Sequence, residues 1–139
     1  MSALPPELVA AYRAAHYVVP GRAPLLLRVG ETNPALAALL ASLAVQGAAF
    51  LTTCNPGSVR LEAEENARRM RILQAEIREA GLPVINALAR DPSGQWPDEA
   101  SLLIPGASRA WSEALAQRHG QNGFLWLDAQ GRIELVLLR

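Results

Sequence analysis

The sequence predicts a domain of the α/β or α+β class, with a mixed sheet of about six or seven strands and roughly three to four packed helices. Two observations predict this class. Apolar runs typical of strands alternate with segments whose apolar residues recur at helical spacing, and Gly, Pro and Asn turns divide them. The length of 139 residues suits a single domain over 1–139, and the 50% apolar content is enough for a sizeable core.

The first half of the chain predicts a helix, two strands, a helix and a strand, at residues 5–16, 17–19, 25–29, 34–46 and 48–54. Pro20-Gly21 is typical of a hairpin turn between the first two strands. Asn33 caps the second helix, and Gly47 is expected to stop it. The last of these strands has few polar residues, which predicts a central place in the sheet. The uncharged segment 35–51 is therefore interpreted as helix, stop and strand, and not as a membrane span.

The second half predicts a long helix, two strands, a helix and a final hairpin, at residues 62–80, 84–89, 101–104, 108–119, 124–127 and 133–138. The long helix has an inner stripe of Ala63, Ala67, Met70, Leu73 and Ile77. Its first turns suggest the ion pairs Glu64–Arg68 and Glu65–Arg69. The polar segment 91–99 is longer than a tight hairpin needs, and excess loop is where function tends to lie.

Composition makes several function classes improbable. Thirteen basic and thirteen acidic residues leave no net charge, so neither nucleic acid nor a membrane surface is an expected partner. The single cysteine, Cys54, excludes an internal disulfide, and His16 and His119 have no second ligand near them in sequence. No metal and no cofactor is predicted. The N-terminal residues show no secretory pattern, which predicts a cytoplasmic protein.

Four separated motifs resemble the signature of a bacterial family classed as a domain of unknown function. They are Thr-Thr-Cys-Asn-Pro-Gly-Ser at 52–58, Glu-Asn at 65–66, Trp-Pro-Asp-Glu-Ala-Ser-Leu-Leu at 96–103 and Gly-Gln-Asn at 120–122. The resemblance extends over about the whole chain and implies no particular activity. Two positions depart from it: Cys54 stands in place of an aromatic residue, and Glu62 in place of a Ser or Thr helix cap. The first argues against essential cysteine chemistry, and the second suggests a weaker cap.

The turn after the buried strand is the strongest candidate for a ligand site. Ligands of open α/β sheets bind beyond the carboxyl ends of strands, and helix N-termini attract anions. Thr53, Asn55 and Ser58 are expected to face such a ligand. This is not a phosphate-loop motif, because the turn has one glycine and no lysine. The alternative is that Asn55 and Ser58 only tie the turn to its neighbours.

Three further polar residues and one aromatic residue complete the predicted site: Asn66, Glu99, Gln121 and Trp96. Asn66 lies partly on the inner face of the long helix, so it is expected either to bond back to the Asn55 loop or to act as a structural tether. Glu99 is the candidate for acid–base catalysis, because a carboxyl beside the ring of Trp96 can have a raised pKa. The alternative for Glu99 is an ordinary solvated loop carboxylate. Tyr12, Tyr17 and Trp96 are candidates for stacking on a planar ligand.

Two hypotheses of different classes follow from the sequence. In the first, the chain binds a small polar or anionic metabolite at the strand, turn and helix around Asn55. In the second, it is a non-catalytic protein interaction module whose polar motifs only stabilise turns. Whether the chain is an enzyme, which protein it contacts and whether it self-associates stay open at this point.

Overall fold

A computed structural model describes residues 4–138. Residues 1–3, part of the segment in which no secretory signal is predicted, lie outside that range. Four α-helices form within it: α1 Pro6–Ala14, α2 Pro34–Ser42, α3 Ala63–Glu79 and α4 Arg109–Arg118. The seven strands are β1 His16–Val19, β2 Leu25–Leu27, β3 Gly47–Leu51, β4 Ile85–Arg90, β5 Glu99–Pro105, β6 Gly123–Asp128 and β7 Ile133–Leu137. A short 3₁₀ helix, Pro56–Ser58, follows β3. The predicted class, strand number and helix number are confirmed.

The strands form one curled sheet in the order β2-β1-β4-β5-β3-β6-β7. All six pairings between the described strands are antiparallel. The parallel pairs of a mixed sheet do not form among them, so the α+β alternative describes the fold. The predicted hairpins β1–β2 and β6–β7 are confirmed. Strand β3 lies between β5 and β6 and is buried along its whole length, as its apolar sequence predicts.

The helices cover both faces of the sheet. Because successive strand residues point to opposite faces, each buried strand supplies side chains to two separate core layers. Helix α2 contributes Leu36 and Leu40 to the layer that also contains Phe50. Helices α3 and α4 close the other face, with Leu73 and Leu115 in its core. No described helix is both long and apolar enough to cross a membrane.

The predicted end of the second helix is wrong. Helix α2 stops at Ser42, and Ala44, at φ 56°, is the left-handed residue that follows it. Gly47 is instead the first residue of β3. A Cβ at position 47 would lie 2.7 Å from Cζ2 of Trp126 and 2.9 Å from the carbonyl oxygen of Leu127. The glycine is thus required by the close approach of β6 and not by a helix stop.

Helix ends and surface pairs follow the sequence with three local differences. Helix α1 ends at Ala14, because His16 already pairs with β4. On α3, Glu65 forms the predicted ion pair with Arg69. Arg68 also pairs with Glu65, and not with Glu64 as predicted. In the predicted inner stripe of α3, Ala63 and Ala67 are exposed, whereas Met70, Leu73 and Ile77 are buried.

The caps of the helices agree with their sequences. Asn33 and Ser108 accept hydrogen bonds from the backbone N–H groups of Leu36 and Trp111. The N-cap of α3 is Glu62, whose side chain makes no cap hydrogen bond within the described residues.

Candidate functional site

A cavity of about 170 Å³ lies between α1 and the sheet. Its apolar wall includes Leu8, Ala11, Phe50, Leu125 and Leu135. Tyr12, Tyr17 and Trp96 add aromatic rings, and the polar wall consists of Thr52, Asn55, Ser58, Arg90, Asp91, Glu99, Ser101, Gln121 and Asn122. Tyr17 packs edge-on against Phe50, with ring centroids 5.4 Å apart. The cavity therefore combines an apolar body with a polar end, as small-molecule sites usually do.

The register of the sheet explains why the polar residues meet. Strand β3 pairs Leu51 with Leu102 of β5 and Phe50 with Leu125 of β6, both antiparallel. Continuing these registers brings the chain just after β3 beside the start of β5 and the segment before β6. Two contacts agree with this extension: Thr52 donates to the carbonyl of Ala100 at 2.7 Å, and Gln121 Nε2 donates to the carbonyl of Cys54 at 3.0 Å.

Asn55 is the centre of a hydrogen-bond network. Its Nδ2 donates to Glu99 Oε2 at 2.8 Å, while its Oδ1 accepts from the backbone N–H of Leu61 and from Asn66 Nδ2. Asn66 Oδ1 in turn accepts from the backbone N–H of Asn55 at 2.9 Å. Because a backbone N–H can only donate, these bonds determine which way both amides are turned. Asn55 therefore presents an N–H group to Glu99, as a hydrogen-bond donor to its carboxyl.

The loop that carries Asn55 has an unusual backbone. Asn55 and Ser58 have φ values of 47° and 63°, in the left-handed region that non-glycine residues seldom adopt. Gly57 shares this region and donates its N–H to the carbonyl of Gly120 at 2.8 Å. Such conformations cost free energy, persist only where their surroundings enforce them, and concentrate at functional sites.

A second polar cluster connects α1 to this loop. The hydroxyl groups of Tyr12 and Ser58 hydrogen-bond each other, and Asn122 Nδ2 donates to both, at 3.0 and 2.9 Å. Tyr17 donates its hydroxyl to the carbonyl of Tyr12 at 2.7 Å. Asn122 is only 4% exposed, and its Oδ1 has no hydrogen-bond partner among the described residues. Exchanging the amide oxygen and nitrogen would leave the other atom unpaired, so one polar atom of Asn122 is orphaned in either orientation.

Glu99 is the partly buried acid of the cavity. Burial raises the pKa of its carboxyl, and the hydrogen bond from Asn55 offsets only part of this effect. The nearby Arg90 is paired with Asp98, and no described basic side chain contacts Glu99. Burial also raises the pKa of the Cys54 thiol. A carboxyl with a raised pKa can hold or release a proton closer to neutral pH, or pair with a positively charged group.

Asp91, the second carboxyl that lines the cavity, behaves differently. Asp91 uses its carboxylate to accept hydrogen bonds from the Ser93 side chain and from the backbone N–H groups of Ser93 and Trp96. The Ser93 bonds lower the pKa of Asp91. Asp91 thus organises the loop before β5, which leaves Glu99 as the carboxyl with binding capacity inside the cavity.

The structure brings most of the predicted site residues together. Asn55, Ser58, Trp96, Glu99 and Gln121 line the cavity. Asn66 lies behind it and contacts it through Asn55, which agrees with the expected bond back to the loop.

Thr53 does not face the cavity, although the sequence predicts that it faces a ligand. It is fully buried, and its hydroxyl contacts the sulfur of Met70 at 3.3 Å on the opposite side of the sheet, because alternation along the extended chain turns it away from the cavity.

Sequence reasoning missed Asn122 and the polar role of Tyr12. Asn122 stands in the Gly-Gln-Asn motif but carries no local signal of burial, and the stacking hypothesis for Tyr12 ignored its hydroxyl. No local sequence pattern signals this contact, which joins residues 110 positions apart. The described residues hold no group of three or more His, Cys, Asp and Glu arranged to bind a metal.

Comparison with known proteins shows one family. Residues 51–123 match a family model described as "Protein of unknown function (DUF3293)". This span begins at the end of β3 and reaches the start of β6, so it includes the Asn55 loop, Glu99, Gln121 and Asn122. No curated protein and no solved structure gives a significant match.

Proposed function

The chain belongs to the DUF3293 family of proteins of unknown function, and we propose that it binds a small polar molecule in the cavity beneath α1. The observation that carries this proposal is the convergence of polar groups from distant segments on one cavity. Glu99 and Gln121 line the cavity and retain hydrogen-bonding capacity that the described residues do not use. Polar groups of this kind on the wall of an apolar cavity can orient a bound molecule.

The size of the cavity limits the ligand. A dry protein cavity of roughly 150 Å³ holds a molecule such as benzene. The cavity here, at about 170 Å³, suits a compound of similar size, or one end of a larger molecule. Nucleotides and sugar phosphates would have to leave most of their atoms outside. A small metabolite with an apolar part and a polar end fits the lining best.

The charge of the lining favours a polar ligand over an anionic one. Glu99 repels an anion when it is ionised, and the rim residue Arg90 already pairs with Asp98 at 3.4 Å. Asp91 also lines the cavity, so an anion there would meet two carboxylates, and the described lining holds no other lysine or arginine.

Thermal unfolding against a panel of small amines, amino acids, alcohols, carboxylates and sugars tests the proposal. A ligand at a hundred times its Kd adds about 2.7 kcal/mol to the free energy of unfolding and shifts Tm by several degrees. The blocking variant is Ala11→Trp, since Ala11 lies on the cavity face of α1 and is exposed enough to accept a larger side chain. Its matched control is Ala10→Trp, on the outer face of the same helix.

Two outcomes separate the hypotheses. A Tm shift that persists in Ala10→Trp and disappears in Ala11→Trp supports a ligand site in the cavity. If no compound shifts Tm, or if both variants respond like the parent chain, the interaction-module hypothesis gains, and the polar clusters are then structural.

A further inference from the structure

The charge and the hydrogen-bonding atoms of the cavity also specify the chemical class of its ligand. We infer, on the basis of the proposed function, that the cavity recognises a primary amine or similar cationic nitrogen attached to a small apolar body. Glu99 would receive the cationic group, and the rings and aliphatic side chains beneath α1 would enclose the apolar part.

The first argument is the incomplete hydrogen bonding of Glu99. Its carboxylate accepts one hydrogen bond within the described residues, from Asn55 Nδ2 to Oε2. A carboxylate has about four acceptor sites, so the described residues leave most of the capacity of this cavity-lining group unused. Asn55 gives it only this one bond, and its Oδ1 is an acceptor that is engaged by the N–H groups of Leu61 and Asn66. An ammonium group carries three donors and a positive charge, which is what this carboxylate lacks.

The second argument comes from the other free polar atoms. Gln121 must donate its amide nitrogen to the carbonyl of Cys54, so its Oε1 is left as an acceptor on the cavity wall. The unpaired Oδ1 of Asn122 has almost no accessible surface, so it lies out of reach of a ligand and offers it no acceptor. The hydroxyl groups of Tyr12 and Ser58 are occupied by each other and by Asn122. Glu99 and Gln121 thus offer unused acceptors, which match a donor-rich ligand, whereas the arginine of the lining, Arg90, is already paired with Asp98.

The third argument is the lining beside the carboxyl. Tyr12, Tyr17 and Trp96 line the same cavity, and Phe50 packs against Tyr17. Faces of aromatic rings attract cations and also bury apolar groups. Aromatic rings next to a carboxylate with unused acceptor sites form a common arrangement for recognising ammonium groups, whereas carboxylate or phosphate ligands need arginine, lysine or clustered N–H donors.

Three compounds of nearly equal shape test this inference directly: benzylamine, benzyl alcohol and benzoate, which are cationic, neutral and anionic at about pH 8. Their affinities are measured by calorimetric titration of the intact chain, with Tm shifts as a second readout. Benzylamine is expected to bind, benzyl alcohol to bind about tenfold more weakly, and benzoate not to bind. A hydrogen bond between charged groups is more favourable than a neutral one by an amount of free energy that corresponds to about a tenfold change in Kd.

The decisive variant is Glu99→Gln, which keeps an oxygen to accept from Asn55 but removes the charge. It is expected to weaken benzylamine about tenfold or more and to leave benzyl alcohol nearly unchanged. The matched control is Glu79→Gln, at an exposed position on α3, which should change neither affinity. Ala11→Trp should abolish binding of both compounds.

Failure of this inference is distinguishable from failure of the proposed function. Benzoate binding as tightly as benzylamine, an unchanged benzylamine affinity in Glu99→Gln, or no binding by any of the three compounds would each overturn the amine assignment. The proposed function survives these results if another compound of the panel shifts Tm and loses its effect in Ala11→Trp.

Discussion

Replacement of Asn66 by alanine tests whether the loop after β3 is held from α3. The side chain of Asn66 makes two hydrogen bonds to Asn55, at 2.9 Å each: it accepts from the backbone N–H and donates to Oδ1. Loss of the first leaves a partly buried N–H without a partner, at about 1–3 kcal/mol, and loss of the second costs about 0.5–1.5 kcal/mol. Alanine returns about 0.5 kcal/mol through its higher helix propensity.

The net destabilisation expected for Asn66→Ala is therefore about 1–4 kcal/mol. In a chain of 139 residues each kcal/mol lowers Tm by roughly 3–4 °C, so the drop should be roughly 3–16 °C. Calorimetry and urea unfolding measure it. The control is Arg71→Ala, an exposed position on the same helix, where the change should stay within about 0.5 kcal/mol. Equal effects of the two substitutions would refute the claim that Asn66 holds the loop.

Three further predictions concern the cavity, the sheet and a helix cap. Burial raises the pKa of Glu99 in the folded state, so ionisation of this carboxyl lowers the free energy of unfolding. This loss of stability is absent below the ordinary pKa of about 4.5 and develops as the pH rises through and above that value. Glu99→Gln should thus gain stability over the parent chain between acidic and neutral pH in urea titrations, and a pH-independent difference would contradict this. Gly47→Ala should lose about 1–3 kcal/mol, because its Cβ would overlap Trp126 and the β6 backbone, and an unchanged Tm would disprove the clash. Glu62→Asp keeps the negative charge at the start of α3 and adds a side chain of capping length, so calorimetry should show a gain of about 0.5–1 kcal/mol; a loss would show that Glu62 already acts as a cap.

Sequence reasoning anticipated which residues line the cavity where the signal was local and chemical. Asn55 follows a strand whose apolar sequence predicts burial, and Glu99 ends a loop that is longer than a hairpin requires. Both features are visible without coordinates, and both residues line the cavity. Thr53 does not line the cavity, because a shift of one residue along an extended chain turns a side chain to the opposite face. Its neighbour on that side is Met70, which only the packing of α3 determines.

Local sequence by itself determined the order of helices and strands, the turns and most caps, because these depend on periodicity and on residues within one or two turns of each other. Only the tertiary structure decided that β3 pairs with β5 and β6. Strand β3 begins at Gly47, whereas β5 begins at Glu99 and β6 at Gly123, 52 and 76 residues later. Those registers bring Glu99 and Gln121 to Asn55, and α1 then encloses the cavity with Tyr12 against Asn122. Such contacts depend on how apolar faces are buried across the whole sheet, which no local pattern encodes.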